Sequence, residues 1–253
     1  PSALYIHLAE TLQDSYRLGA SHFRRNRLAA IVAYGRRESE WNGILQRVGQ
    51  RIASVAQKDL PTARWEFVLF ESKEVNAFCL PGGKVGVFTG ILPIAKDENG
   101  LAAIVGHEVA HAAARHGAER MSEALLIEVG GAVLDTATQR KAEATRKALA
   151  VAYGLGTQLG VYLPHSRKQE LEADHMGLIY MARAGYDPRT AVELWRRFAA
   201  YGKQRGSAVP GFLRTHPVDE VRIAQLQQLM PKALAEYRPA QAATTPVSEP
   251  VRR

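Results

Sequence analysis

The chain has 253 residues of ordinary globular composition, 46% hydrophobic and 23% charged, enough for one large domain or two small ones. Its single cysteine, Cys79, excludes an intrachain disulfide and a zinc site built from four cysteines. More than half of the formal +8 charge excess falls in residues 1–64, where Arg24, Arg25, Arg27, Arg36 and Arg37 cluster. No RNA- or DNA-reading motif accompanies it, so the simpler reading is a solvated basic face and nucleic acid is not an expected partner.

The chain begins at Pro1 without a signal-like apolar stretch, which reads as a trimmed or mature form. No run reaches the roughly 18 apolar residues of a membrane span. Ala148 to Leu163 comes nearest, but its glycines and polar residues predict a buried helix of small residues instead. Membrane association is therefore expected only through a segment upstream of Pro1 or through the basic N-terminal face.

Residues 1–58 read as helical, ending in an amphipathic stretch with Trp41, Ile44, Leu45, Val48, Ile52 and Val55 at three- and four-residue spacing. Pro61 breaks it. Trp65–Phe70, Val75–Leu80 and Lys84–Thr89 read as strands, with Pro81-Gly82-Gly83 as a turn, giving a small sheet. Asp97-Glu98-Asn99 caps a helix over Leu101–Arg115. Two helical stretches with a charged middle come next, over 119–160, the second stopped by Pro164. A helix starting at Ser166 ends at Gly185, the next starts at Asp187-Pro188 and runs through Tyr201, Gly206–Pro217 is a loop, and the last helix begins at Val218. Residues 239–253 read as a disordered tail and 1–238 as one domain.

His107-Glu108-Val109-Ala110-His111 carries the chemistry. Two histidines one helical turn apart can point at one metal ion, with Glu108 about 100° away, able to reach an attacking water without being a ligand. About 0.02 accidental matches to this pattern are expected in a chain of this His and Glu content. A catalytic zinc needs a third protein ligand. Glu170 is the best candidate, with Asp174 four residues on and able to hold a ligating histidine by its other N–H, while Glu172 points almost oppositely. His116 lies about 140° from the face of His111 and is expected at a surface or packing position.

Asn76-Ala77-Phe78, Pro81-Gly82-Gly83, Thr89-Gly90-Ile91-Leu92, the HExxH, Ser166-Arg167 through Glu170 to Ala173-Asp174, and Thr215-His216-Pro217 occur in this order. Together they resemble the HtpX, BepA and LoiP type of gluzincin metallopeptidase, to which the CAAX prenyl protease is related. The resemblance spans residues 40 to 225. It implies a mostly helical α+β, zincin-like fold with a small mixed sheet beside the HExxH helix, and one zinc ion held by His107, His111 and Glu170. It further implies Glu108 as catalytic base and His216 near the metal, holding the transition state or transiently closing the fourth position. By the same resemblance the strand at Asn76, Ala77 and Phe78 pairs with substrate backbone.

The implied activity is endopeptidase cleavage of unfolded or damaged cell-envelope proteins in a bacterial periplasm, by a soluble or lipid-anchored protein near the outer-membrane protein assembly machinery. The membrane-embedded members have transmembrane helices between these motifs, and this chain has none. Two readings compete: a non-catalytic zinc-containing chaperone or assembly factor, against which Glu108 stands, and a deformylase-like amidase with Cys79 as a ligand.

Overall fold

In the computed structural model, residues 36–158, 163–206 and 210–239 are described. The helical reading of residues 1–35, the arginines at 24–27 among them, and the tail from residue 240 onward lie outside them. Helix α1 (Arg36–Ala56) buries Leu45, Val48, Ile52 and Ala56, the face its spacing predicts. Next come strands β1 (Glu66–Phe70), β2 (Ala77–Leu80) and β3 (Lys84–Phe88). The sheet order is β1-β3-β2, with β1 parallel and β2 antiparallel to β3, so β2 is an edge strand. Gly82 and Gly83 turn the chain between β2 and β3 at φ of 92° and 90°, a region open to glycine at little cost.

A 3-10 turn (Thr89–Ile91) and a short helix α2 (Leu92–Ala95), neither expected from the sequence, carry Ile91, Leu92, Ile94 and Ala95 into the core. Helix α3 (Glu98–Ala113) starts where Gly100 N–H donates to the Asp97 carboxylate at 2.9 Å, a side-chain cap. Every residue from Gly100 to His111 is buried. A helix buried on all sides belongs in the middle of a core, and α3 packs against α1 and β2.

Helices α4 (His116–Thr138) and α5 (Glu143–Thr157) form a hairpin. The expectation of a buried helix over Ala148–Leu163 is not met across residues 148–158, and residues 159–162 lie outside the described chain. No residue of α5 is buried, and Val151 and Leu155 are 62% and 54% exposed. The hairpin packs on itself, with the Tyr153 hydroxyl donating to the Ile127 carbonyl, and no third layer covers it among the described residues. Composition marks the segment as apolar, but what covers an apolar helix is set by its neighbours. None of the described helices is long and apolar enough to cross a membrane.

Helix α6 (Leu163–Arg183) begins three residues before the expected start. Pro164 sits in its first turn, where a missing N–H costs nothing, instead of ending the preceding helix. Helix α7 (Arg189–Arg205), a short α8 (Gly211–Thr215) inside the expected loop, and α9 (Glu220–Glu236) complete the described chain. Both α6 and α7 pack on α3 and complete its enclosure.

The contact that positions the site is the crossing of α3 and α6. A Cβ on Gly106 would lie 2.9 Å from the Gly177 carbonyl oxygen, and one on Gly177 would lie 2.9 Å from His107 Cα. Only glycine at both positions lets the two backbones meet so closely.

Candidate metal centre

Helix α3 presents His107, Glu108 and His111 into the interior, 2%, 4% and 7% exposed. Helix α6 brings Glu170 against both histidines: His107 Nε2 is 3.3 Å from Glu170 Oε2, and His111 Nε2 is 3.2 Å from Oε1. The two Nε2 atoms are 3.1 Å apart. The turn after α8 brings in His216, whose Nδ1 is 3.2 Å from His107 Nε2 and 3.0 Å from Glu170 Oε2. These four buried residues offer ligand atoms that all lie within 4.8 Å of one another.

The spacing fits a divalent ion. A tetrahedral zinc with bonds of about 2.0–2.1 Å has ligand–ligand edges of about 3.3–3.4 Å, and the donor separations cluster just below that. Imidazole and carboxylate donors suit zinc among the common divalent ions.

The surrounding groups orient this donor set. Asp174, on the next turn of α6, has Oδ1 3.0 Å from His107 Nδ1. Arg222 on α9 is not a site residue that the sequence points to, yet its side chain ties several parts of the site together. Its guanidinium bonds Asp174 at 2.6 and 2.8 Å, reaches Glu170 at 3.0 Å and the Pro217 carbonyl at 3.1 Å, and stacks on Trp195 with its Cζ 3.7 Å from the ring centroid. An arginine in an ordinary amphipathic helix gives no sequence signal of burial. The one hint is its place six residues after His216.

His116 takes the buried one of its two expected placements, but it faces His111 and not a direction about 140° away. It is 1% exposed, with Nδ1 2.9 Å from His111 Nδ1 and Nε2 3.3 Å from Glu172 Oε2. A left-handed turn at Arg115 (φ 59°) breaks the helix between His111 and His116, so a 140° offset computed for one continuous helix does not apply.

The electrostatics follow from burial. Desolvation disfavours the imidazolium of His107, but its bonds to Asp174 and Glu170 outweigh this and carry its pKa up to about 9 without metal. Desolvation holds His111 well below the usual histidine value. Glu170 and Asp174 are desolvated too, yet their carboxyls stay low, Glu170 chiefly through His216 and Asp174 chiefly through Arg222. Glu108 behaves differently: burial raises its pKa. Its Oε1 has no hydrogen-bond partner and lies 3.5 Å from His216 Nε2.

Of the remaining candidates, Ala77 and Phe78 open the edge strand β2, which packs on α3, and Asn76 immediately precedes it. The Val75 carbonyl just before them accepts from Phe212 N–H of α8 at 3.3 Å, tying this edge to the segment that carries His216. Cys79 is half-buried, and burial pushes its thiol pKa up. It is not among the clustered donors, which removes the observation a deformylase-like site would need.

A two-histidine, one-glutamate donor set on crossed helices, with a free glutamate after the first histidine, is the arrangement of the gluzincin class. The chain belongs to peptidase family M48, whose model matches residues 39–230. It is 38% identical over 193 residues to the mitochondrial metalloendopeptidase OMA1 of Schizosaccharomyces pombe, covering 75% of this chain and 53% of the relative. It is 36% identical over 205 residues to the Saccharomyces cerevisiae OMA1, covering 76% of this chain and 57% of the relative. The putative beta-barrel assembly-enhancing protease of Vibrio cholerae is 28% identical over 193 residues, covering 74% of this chain and 38% of the relative. The chain thus spans about half the length of the yeast relatives it matches. The comparisons overturn the expectation of a bacterial periplasm, because the relatives of higher identity carry mitochondrial names.

Proposed function

We propose that this chain is a catalytic domain, within residues 1–238, of a zinc metalloendopeptidase that cleaves unfolded or damaged protein segments. Family membership supports the reaction class. The observation that carries the site assignment is the convergence of His107, His111 and Glu170, with Glu108 buried beside them and its Oε1 without a hydrogen-bond partner, 3.5 Å from His216 Nε2. A buried carboxylate oxygen without a partner costs free energy and is best explained by a water or substrate group that it serves. A purely structural zinc site needs no such group, so the chaperone reading is disfavoured.

In this reading one zinc ion is held by His107, His111 and Glu170. When bound, zinc lowers the pKa of a water and polarises the scissile carbonyl. Glu108 takes the proton of the attacking water and delivers it to the leaving amine. Its raised pKa suits both halves of that exchange, since a base closer to neutrality also gives the proton back. Asp174 accepts from His107 Nδ1–H and so keeps the Nε2 lone pair free.

Substrate is proposed to add as a strand to β2. Asn76 O accepts from Phe88 N–H at 3.0 Å, so by antiparallel alternation Asn76 and Phe78 direct their backbone groups to β3, and Ala77 and Cys79 direct theirs outward. The Ala77 carbonyl and Cys79 would then supply the pairing groups, the Ala77 N–H donating to Asn76 Oδ1 at 3.0 Å, and Phe78 the side-chain contact. Backbone pairing reads little sequence, which supports unfolded protein as the substrate class. A link to outer-membrane assembly would rest on the less similar, assembly-named relatives alone.

The test is metal analysis and casein cleavage on the same sample. The unmodified chain is expected to hold one zinc and cleave. Glu170→Ala is expected to lose metal by more than the roughly 10–100-fold that removal of an outer hydrogen-bond partner costs; unchanged zinc content in that variant would sink the ligand assignment.

His216 Nδ1 stands among the three proposed ligand atoms, at the corner where a water or carbonyl would bind. The proposed role is closure of that corner until substrate displaces the ring. His216→Ala is then expected to raise casein turnover several-fold at saturating zinc. A fall in turnover would favour transition-state binding instead, and no change would end any role for this residue.

A further inference from the structure

His111 turns Nε2 toward the proposed metal, 3.1 Å from His107 Nε2 and 3.2 Å from Glu170 Oε1. That nitrogen offers a lone pair only if the ring proton sits on Nδ1. His107 has a carboxylate, Asp174, to hold its proton in place. No carboxylate is paired with the Nδ1 of His111: that nitrogen faces another imidazole nitrogen, His116 Nδ1, at 2.9 Å. Two imidazole nitrogens can share one proton, and which ring owns it depends on what lies beyond. Beyond His116 lies Glu172, its Oε2 3.3 Å from His116 Nε2. A carboxylate only accepts, so the His116 proton stays on Nε2 and His116 Nδ1 is left as an acceptor. The His111 proton then has to sit on Nδ1.

We propose that Glu172 and His116 form a directed hydrogen-bond chain that fixes the tautomer of His111, making both residues positioning residues for the metal centre. This role rests on the proposed assignment of His107, His111 and Glu170 as ligands. The hydrogen-bond chain runs from solvent inward, since the Glu172 side chain is 52% exposed and His116 is 1% exposed. Helix α6 supplies both Glu170 and Glu172, two residues apart, so one helix sets a ligand and the far end of the chain that orients another. The pull in the opposite direction is also present. Arg120 Nη2 stands 3.4 Å from His111 Nδ1, and a guanidinium can only donate. Without His116, Arg120 is the remaining polar neighbour of that nitrogen. It would favour the tautomer that carries the proton on Nε2, pointing into the metal pocket.

The test measures zinc affinity of the full chain by competition with a chromophoric chelator, with circular dichroism to verify folding. His116→Leu is expected to weaken zinc binding by about 10–100-fold, the usual effect of losing such a partner. His116→Asn puts an amide oxygen near the Nδ1 position and should restore affinity to within a few-fold of the unmodified chain. Glu172→Leu, at a half-exposed position that folding tolerates, should cost several-fold by itself and nothing further in a His116→Leu background, because the two act in series. If His116→Leu fails to fold, the Glu172→Leu and His116→Asn measurements decide the matter. Unmodified affinity in the Glu172→Leu or folded His116→Leu chains, an Asn variant as weak as the Leu variant, or additive losses would overturn the proposal. An unmodified chain without zinc affinity, or His111→Ala with affinity intact, would overturn the metal-site reading as well. Intact affinity in the His116 and Glu172 variants alone would overturn only the hydrogen-bond chain.

Discussion

Glu108→Gln is expected to reduce casein turnover by about 10²–10⁴-fold, the usual contribution of a positioned acid–base group, while zinc content stays at that of the unmodified chain. The amide matches the carboxylate in shape but cannot take a proton from water. Glu108 Oε1 has no hydrogen-bond partner and touches none of the proposed ligand atoms within bonding distance, so its loss should not disturb the metal. Replacing a buried carboxylate whose Oε1 accepts no hydrogen bond with a neutral amide removes a desolvation cost that outweighs the 3.5 Å contact with His216, so the melting temperature should not fall. Paired measurements of turnover and zinc on one preparation check this. Near-normal turnover in a zinc-loaded variant would remove Glu108 from the mechanism, and lost zinc would make it a ligand.

Arg222→Leu is expected to destabilise the metal-free protein by about 3–5 kcal/mol, the cost of leaving buried charge uncompensated. For a chain of this size that is a fall of roughly 6–20 °C in Tm. Arg222 is 3% exposed and reaches Asp174 and Glu170 together. Removing it leaves two buried carboxylates facing His107. A saturating divalent ion restores positive charge beside Glu170, so zinc should recover part of the loss. Lysine at 222 should recover only part as well, because an ammonium cannot span both carboxylates, the Pro217 carbonyl and the Trp195 ring. Thermal melts with and without chelator read all three. A shift under about 2 °C in the chelated Arg222→Leu protein would show that Arg222 does not compensate these carboxylates.

Much of the centre is legible in the chain alone because it depends on spacing within single helices. The four-residue step from His107 to His111, and the same step from Glu170 to Asp174, put each pair on one face whatever surrounds it. The three strands are legible for the same reason, since alternation and the Pro81-Gly82-Gly83 turn are local. Sequence and structure part where a local rule is extended across a break. The 140° offset for His116 assumes a helix that Arg115 interrupts, and Pro164 can end one helix or open the next depending on the residues after it. The Ala148–Leu163 segment reads as buried from its composition, though burial depends on neighbours the segment itself does not specify.

From its sequence this chain carries an HExxH helix, a partner helix with a carboxylate pair, and the ordered motifs of its family, because each is encoded within about one helical turn or one tight turn. Which groups close around that helix is a different kind of fact. His216 reaches His107 across 109 residues, Arg222 reaches it across 115, and Glu172 reaches His116 across 56. Such pairings follow from where α3 and α6 cross at Gly106 and Gly177, from how α9 packs on α6 and α7, and from how Phe212 of α8 stacks on Trp195 and Phe198 of α7. No periodicity encodes that meeting, so it could be known only once the helices were assembled.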